Sequence, residues 1–101
     1  MAEESDPDSW WNPLIPVVCT TEAIASGQRP ILLVIHTSGH AGWQLYDGAD
    51  VSRQRIVIMT KEDALAMDPT LRGIQNLRVG WQARRKSPDD EWLRSEWHGP
   101  E

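Results

Sequence analysis

Apolar positions fall into short runs separated by polar turns, and each run can be matched to a strand or a short helix. Pro16-Val17-Val18-Cys19 is a brief apolar segment and predicts an opening strand. Thr20 or Thr21 then serves as a helix N-cap, with Glu22 in the first turn where the helix dipole favours an acid. That helix covers residues 22–26 and stops at Gly27, with Pro30 soon after. Ile31-Leu32-Leu33-Val34-Ile35 is the most apolar run. It is too short for a helix and rich in β-branched residues, so it predicts a central strand covered on both faces.

Gly42-Trp43-Gln44-Leu45-Tyr46-Asp47 alternates, with Trp43 and Leu45 on one face and Gln44 and Tyr46 on the other. It is the return strand of a hairpin, ending at the turn pair Asp47-Gly48. After a polar linker, residues 49–54, Arg55-Ile56-Val57-Ile58-Met59 predicts another strand. Thr60 caps a short helix through Met67, with Ala64, Leu65 and Met67 as its apolar positions. Asp68-Pro69 restarts the chain as a second short helix, Asp as N-cap and Pro at N1, offering Leu71 and Ile74 inward. Val79, Trp81 and Ala83 share one face of a further strand. Ser87-Pro88-Asp89-Asp90 is a turn, and residues 91–97 return as the last strand. The order predicts an α+β domain: a mostly antiparallel sheet of about five strands, with two or three short helices packed on one face.

The 101 residues suit one domain. The expected organisation is an acidic flexible tail over residues 1–12, one folded unit over 13–97, and a frayed end over 98–101. The aromatic set is unusual, with six Trp, one Tyr and no Phe. A buried indole removes much apolar surface from water, but its N–H then needs a partner. Adjacent Trp10 and Trp11 beside a polar tail fit two roles: closing an edge of the core, or anchoring a partner. The formal charge of -5 argues against nucleic acid and anionic membranes as partners. An acidic surface suits a basic protein partner instead. Cys19 is the only cysteine, so no intrachain disulfide can form. The N-terminal residues are acidic with no apolar run, unlike a signal peptide, which sets a cytoplasmic expectation.

Candidate chemistry is sparse. His36 and His40 are four apart, with Asp47 or Asp50 as a third metal ligand, but they straddle a strand end and a loop. Cys19 with a histidine would be a nucleophilic pair, yet a lone Cys beside two valines is more often a small buried hydrophobe. Residues 37–40 lack the elbow of a serine hydrolase. Arg84-Arg85-Lys86 is the one basic run, and Asp89, Asp90 and Glu91 across the hairpin are its expected ion partners. The residue pattern therefore supports no enzyme, no cofactor and no metal.

Several pieces stand in a familiar order: Cys19 before a short helix ending at Gly27, an apolar strand, Gly42-Trp43-Gln44-Leu45-Tyr46-Asp47-Gly48, a strand, Asp68-Pro69-Thr70-Leu71, Val79-Gly80 and Glu91-Trp92. This order resembles a bacterial family first catalogued as a domain of unknown function and later grouped with the immunity proteins of polymorphic toxin systems, immunity-protein family 33. The resemblance covers residues 17–93. The family's strand usually has Asp-Ser before Gly-Trp, where this chain has His40-Ala41, and the acidic stretch after Gly48 is reduced to Asp47 and Asp50. The resemblance implies a non-enzymatic protein that neutralises a bacterial toxin by direct binding. The candidate binding residues are Trp43, Tyr46, Asp47 and Asp50, then Trp10 and Trp11, with Trp81 assigned to the core. Two other classes stay open: a small enzyme or metal-binding domain using Cys19, His36, His40 and Asp47, and a regulatory module with another protein partner.

Overall fold

The computed structural model describes residues 10–11, 15–37, 42–48 and 54–98. Six strands form one mixed sheet: β1 (Val17–Thr21), β2 (Leu33–His36), β3 (Trp43–Tyr46), β4 (Ile56–Thr60), β5 (Trp81–Arg84) and β6 (Leu93–Glu96). Their spatial order is β4-β1-β3-β2-β5-β6. Only β1 and β3 run parallel, with Cys19 opposite Gln44. The other pairings are antiparallel. The α+β expectation is met, with one strand more than the five expected.

Among the described residues, three short helical segments accompany the sheet. Helix α1 (Glu22–Ala25) is capped by the Thr21 hydroxyl, which accepts from the Ile24 N–H. Helix α2 (Lys61–Met67) is capped by Thr60 in the same way, through the Asp63 N–H. A 3₁₀ helix (Pro69–Ile74) follows, with Asp68 as its cap and proline at its start. Both β1→α1 and β4→α2 use a threonine as last strand residue and first cap. The extended backbone that an N-cap needs is already that of the strand.

Strand register assigns every side chain to a face. Val18, Val34, Trp43, Leu45 and Ala83 point one way, and all join the core. Ile24, Ala64, Leu71, Ile74 and Leu77 meet them from the helical side. Each such side chain contributes roughly 1.5–3 kcal/mol when fully buried. Thr20 lies among them, and its hydroxyl donates to the Leu45 carbonyl across the parallel pair at 2.9 Å. Met67, expected inward, is exposed, because α2 turns Ala64 and the stem of Lys61 to the core instead.

The opposite face is different. It carries Val17, Cys19, Thr21, Leu33, Ile35, Gln44, Tyr46, Ile56, Ile58, Gln82, Arg84 and Leu93 by the same register. None of the described helical segments contributes its buried residues to this side. Ile56 is 48% exposed, Ile58 67% and Leu93 68%. The expectation that the central strand is covered on both faces holds for β2 itself, where Val34 and Ile35 are both buried. On this side Thr21 and Ile35 are buried, and the strongly exposed apolar side chains lie toward the two edges, Ile56 and Ile58 on β4 and Leu93 on β6.

One charged residue ties the helical layer to the sheet. Arg85, just past β5, is buried. Its Nε and Nη2 both donate to the Ile31 carbonyl, at 3.1 and 2.8 Å. Nη2 also pairs with the Asp68 carboxylate. Nη1 donates to the Thr70 hydroxyl at 3.0 Å and to the Pro88 carbonyl at 3.1 Å. The Trp92 ring lies against the guanidinium at 4.1 Å. This corrects the expected pairing of the basic run with Asp89, Asp90 and Glu91: Arg85 turns inward to the 3₁₀ helix cap. Removing one partner of a buried pair leaves the other uncompensated, so Arg85→Ala should cost about 3–5 kcal/mol. Arg85→Lys keeps the charge but has fewer donors and should still destabilise by more than about 1 kcal/mol. Urea titration followed by tryptophan fluorescence measures both, and an unchanged midpoint for Arg85→Lys would show that the donor geometry does not matter.

Candidate functional site

The sequence-derived binding residues separate into three places. Trp43 sits at the start of β3 on the covered face and is 3% exposed. Its ring stacks on His36, with centroids 3.9 Å apart and planes 17° from parallel. Trp10 meets Trp43 edge-on at 4.9 Å and is itself buried. Part of the expected tail is thus built into the core, which is the closing role weighed for the tryptophan pair. In this conformation Trp43 and Trp10 offer almost no surface to a partner.

Lys61 holds the Trp10 segment. Its amine donates to the Trp10 carbonyl at 2.8 Å and lies 5.6 Å from the centroid of the Trp10 ring. Burial lowers its pKa below the ordinary lysine value. His36, on the same covered face, is also engaged: Nδ1 lies 2.6 Å from the Leu77 carbonyl. A carbonyl can only accept, so Nδ1 carries the proton. Trp11 points outward and is 62% exposed.

Tyr46 occupies the uncovered face. Its hydroxyl donates to Gln44 Oε1 at 2.8 Å, and Gln44 Nε2 donates to the Thr37 hydroxyl at 3.3 Å. These groups form a polar line along β3, because residues two apart on a strand share a face. Cys19 lies in the neighbouring strand, opposite Gln44. Burial raises the Tyr46 phenol above the ordinary tyrosine value, and charge on Cys19 pushes it the same way. Asp47, next along the chain, is buried and accepts from Arg29 Nε at 3.0 Å. It acts as a clamp between the end of β3 and the segment before β2. Asp50 lies outside the described residues, as does His40.

The enzyme and metal alternatives can be placed in the same terms. Register puts Cys19 on the uncovered face and His36 on the covered face. The sheet therefore stands between thiol and imidazole, and the two cannot exchange a proton directly. Among the described residues, no group of three or more His, Cys, Asp or Glu is placed to hold a metal ion. Among them, too, no helix is long and apolar enough to cross a membrane.

Two cavities border the elements above. A cleft of about 490 Å³ is lined by Arg29, Ile31, Met67, Asp68, Arg85 and Pro88. The Arg85 donors at its edge already have partners. A groove of about 570 Å³ lies over the β5–β6 hairpin, with Arg84, Lys86 and Leu93 among its walls. Leu93 and Arg84 stand opposite each other in register. Sequence reading missed both the exposure of Leu93 and its place beside these cations. The signal was the polar run Arg94-Ser95-Glu96 after Leu93, which marks an exposed strand, and all four residues are exposed.

Comparison with protein-family models, with curated proteins and with solved structures finds no match for this chain. Two measurements test the placement of the aromatic residues. Trp10→Ala should cost about 3–5 kcal/mol as a core truncation, whereas Trp11→Ala should stay within about 0.5 kcal/mol. Equal effects on the urea midpoint would contradict the structure.

Tyr46 is the one tyrosine, so its ionisation can be followed directly by ultraviolet difference absorbance. The folded state holds the phenol proton longer than the unfolded chain. The stability linked to Tyr46 is therefore complete below the ordinary tyrosine pKa and lost as pH rises through the elevated folded value. A midpoint above that of a free tyrosine amide is expected, and Tyr46→Phe should remove this part of the alkaline loss. A midpoint at or below the free value would contradict the burial of the phenol.

Proposed function

We propose that this chain is a non-enzymatic binding protein of the cytoplasm, an immunity protein that neutralises a bacterial toxin by direct contact. The observation that carries this reading is the one-sided sheet. The helical segments and Trp10 bury one face, and the other displays exposed Ile56, Ile58 and Leu93 with half-buried Leu33 and Tyr46 between them. Exposed apolar side chains edged by polar groups are the usual composition of a protein-recognition site.

The charges on that side give the partner a chemistry. Arg84 projects from the uncovered face, and Lys86 lies with it along the hairpin groove. A complementary toxin surface would set apolar side chains against Leu33 and Leu93, acidic groups against these two cations, and basic groups against Asp90 and Glu91, which line the same groove. The ordered set of motifs from Gly42-Trp43-Gln44 to Val79-Gly80 supports the toxin as the partner through its resemblance to immunity proteins. Of the residues first singled out for binding, Tyr46 lies on this face and Trp11 is exposed. Trp43, Trp10 and Asp47 support the surface from below or beside it.

Co-expression with toxin genes encoded next to this one tests the proposal. The expected result is restored growth with one of them and co-purification of the pair. Leu93→Asp combined with Arg84→Glu should leave the fold intact and weaken the complex by about 100-fold, the effect of losing a strong anchor. Capture of a non-toxin protein with no rescue of growth would instead favour a regulatory module.

A further inference from the structure

The two edges of the sheet are built differently. β6 forms one edge and carries Arg94 and Glu96. Charged residues of this kind are a common way to prevent an edge strand from pairing with another chain. β4 forms the other edge and reads Ile-Val-Ile-Met-Thr, with no charge and no proline. Nothing in its own sequence blunts it.

Register shows which backbone groups of β4 face away from β1. The bonds that flank the β1–β4 ladder run from the Glu22 N–H to the Arg55 carbonyl and from the Lys61 N–H to the Pro16 carbonyl, each at 2.8 Å. Hydrogen-bonded pairs alternate along an antiparallel ladder. Arg55, Val57, Met59 and Lys61 therefore turn their backbone groups toward β1. Ile56, Ile58 and Thr60 turn theirs outward. The residues with outward backbone groups include the two exposed isoleucines, whose side chains lie on the uncovered face.

Charge decides what fits there. Exposed Arg55 stands immediately before β4, and exposed Glu62 and Asp63 stand just after it, in the first turn of α2. The strand is thus positive at its start and negative beyond its end. A second copy of β4 laid antiparallel sets Arg55 of each chain opposite Lys61 of the other, whose buried amine is turned inward to the Trp10 carbonyl, and brings it near the exposed Glu62 and Asp63, twice over by symmetry. A parallel copy would set like charges together. A twofold arrangement is also the one in which a single strand can complement itself.

From this we propose that β4 is a self-association edge, and that a second copy of this chain pairs with it antiparallel, with Ile58 opposite Ile58. The proposal is independent of toxin binding. In this register Ile58 exchanges both backbone hydrogen bonds with its counterpart, and Ile56 lies opposite Thr60. The isoleucines of both copies then lie side by side on the uncovered face, which continues from one sheet into the next. The contact is small compared with a standard interface of about 1,600 Å², so a dissociation constant in the micromolar range is expected.

Sedimentation velocity on the purified full chain, across a dilution series, tests this directly. The expected species shift from 11.5 kDa toward twice that mass as concentration rises. Ile58→Pro removes an outward N–H and none of the β1 bonds, and Ile58→Lys places a charge at the twofold position. Each should weaken association by at least about 100-fold, with circular dichroism unchanged for at least the lysine variant. Arg55→Glu should weaken it by about tenfold, and adding Glu62→Arg and Asp63→Arg to that variant should restore it. A wild-type chain that stays monomeric up to about 1 mM overturns the proposal. So does a dimer that is indifferent to Ile58→Lys, or a monomer whose Ile58 substitution disrupts capture of a different protein.

Discussion

The Arg85 guanidinium is the interaction on which the rest of this domain depends. A buried cation is costly unless it is both paired and hydrogen-bonded. Here the five N–H donors of one side chain reach the segment before β2, the cap of the 3₁₀ helix and the turn before β6. The Thr70 hydroxyl completes the network. It donates to Asp68 at 2.6 Å and accepts from Arg85 and from the Trp92 indole. Its one donor and both lone pairs are used. Asp68 thus caps a helix and neutralises a charge with the same carboxylate. A small domain has little apolar area with which to fix its helices, and this network supplies the missing specificity.

That constraint explains the asymmetry of the sheet. Arg85, Trp92 and the helix cap hold the 3₁₀ helix to one side, and Trp10 packs beside Trp43, which stacks on His36. The tryptophans divide accordingly. Trp10 and Trp43 are core, Trp81 and Trp92 pack against it half-buried, and Trp11 faces solvent. The aromatic richness of the chain therefore serves the covered face. The uncovered face relies on isoleucine, leucine and a single tyrosine.

Much of the fold was legible in the sequence because its signals are local. Alternation in residues 42–47 placed Trp43 and Leu45 together, and the caps at Thr60 and Asp68 fixed where two helical segments begin. The parallel pairing of β1 with β3 was not legible, since register between strands distant in sequence has no local signature. Arg85 was legible as part of a basic run that would find acidic partners, but its partner was misread. Acids close in sequence were available, whereas the true partner lies seventeen residues away at a helix cap. The candidate site suffered for a related reason. Trp43 and Asp47 carry the residue types of an interface, and only tertiary packing reveals that both are already engaged. The exposure of the β4 isoleucines was not legible either, because an edge strand and a central strand share the same composition.

The proposed function rests on what the network leaves free. A sheet held from one side has a second face, which runs from β4 to β6, and an unblunted edge at β4. The most direct measurement is methyl solvent accessibility of the dilute, free protein, using a soluble paramagnetic probe in solution NMR. The one-sided sheet predicts strong broadening for the methyl groups of Ile56, Ile58 and Leu93, and little for Ile24, Val34, Leu45 and Leu71. Equal protection of the two sets would mean that the face is covered, and would contradict the structural basis for binding.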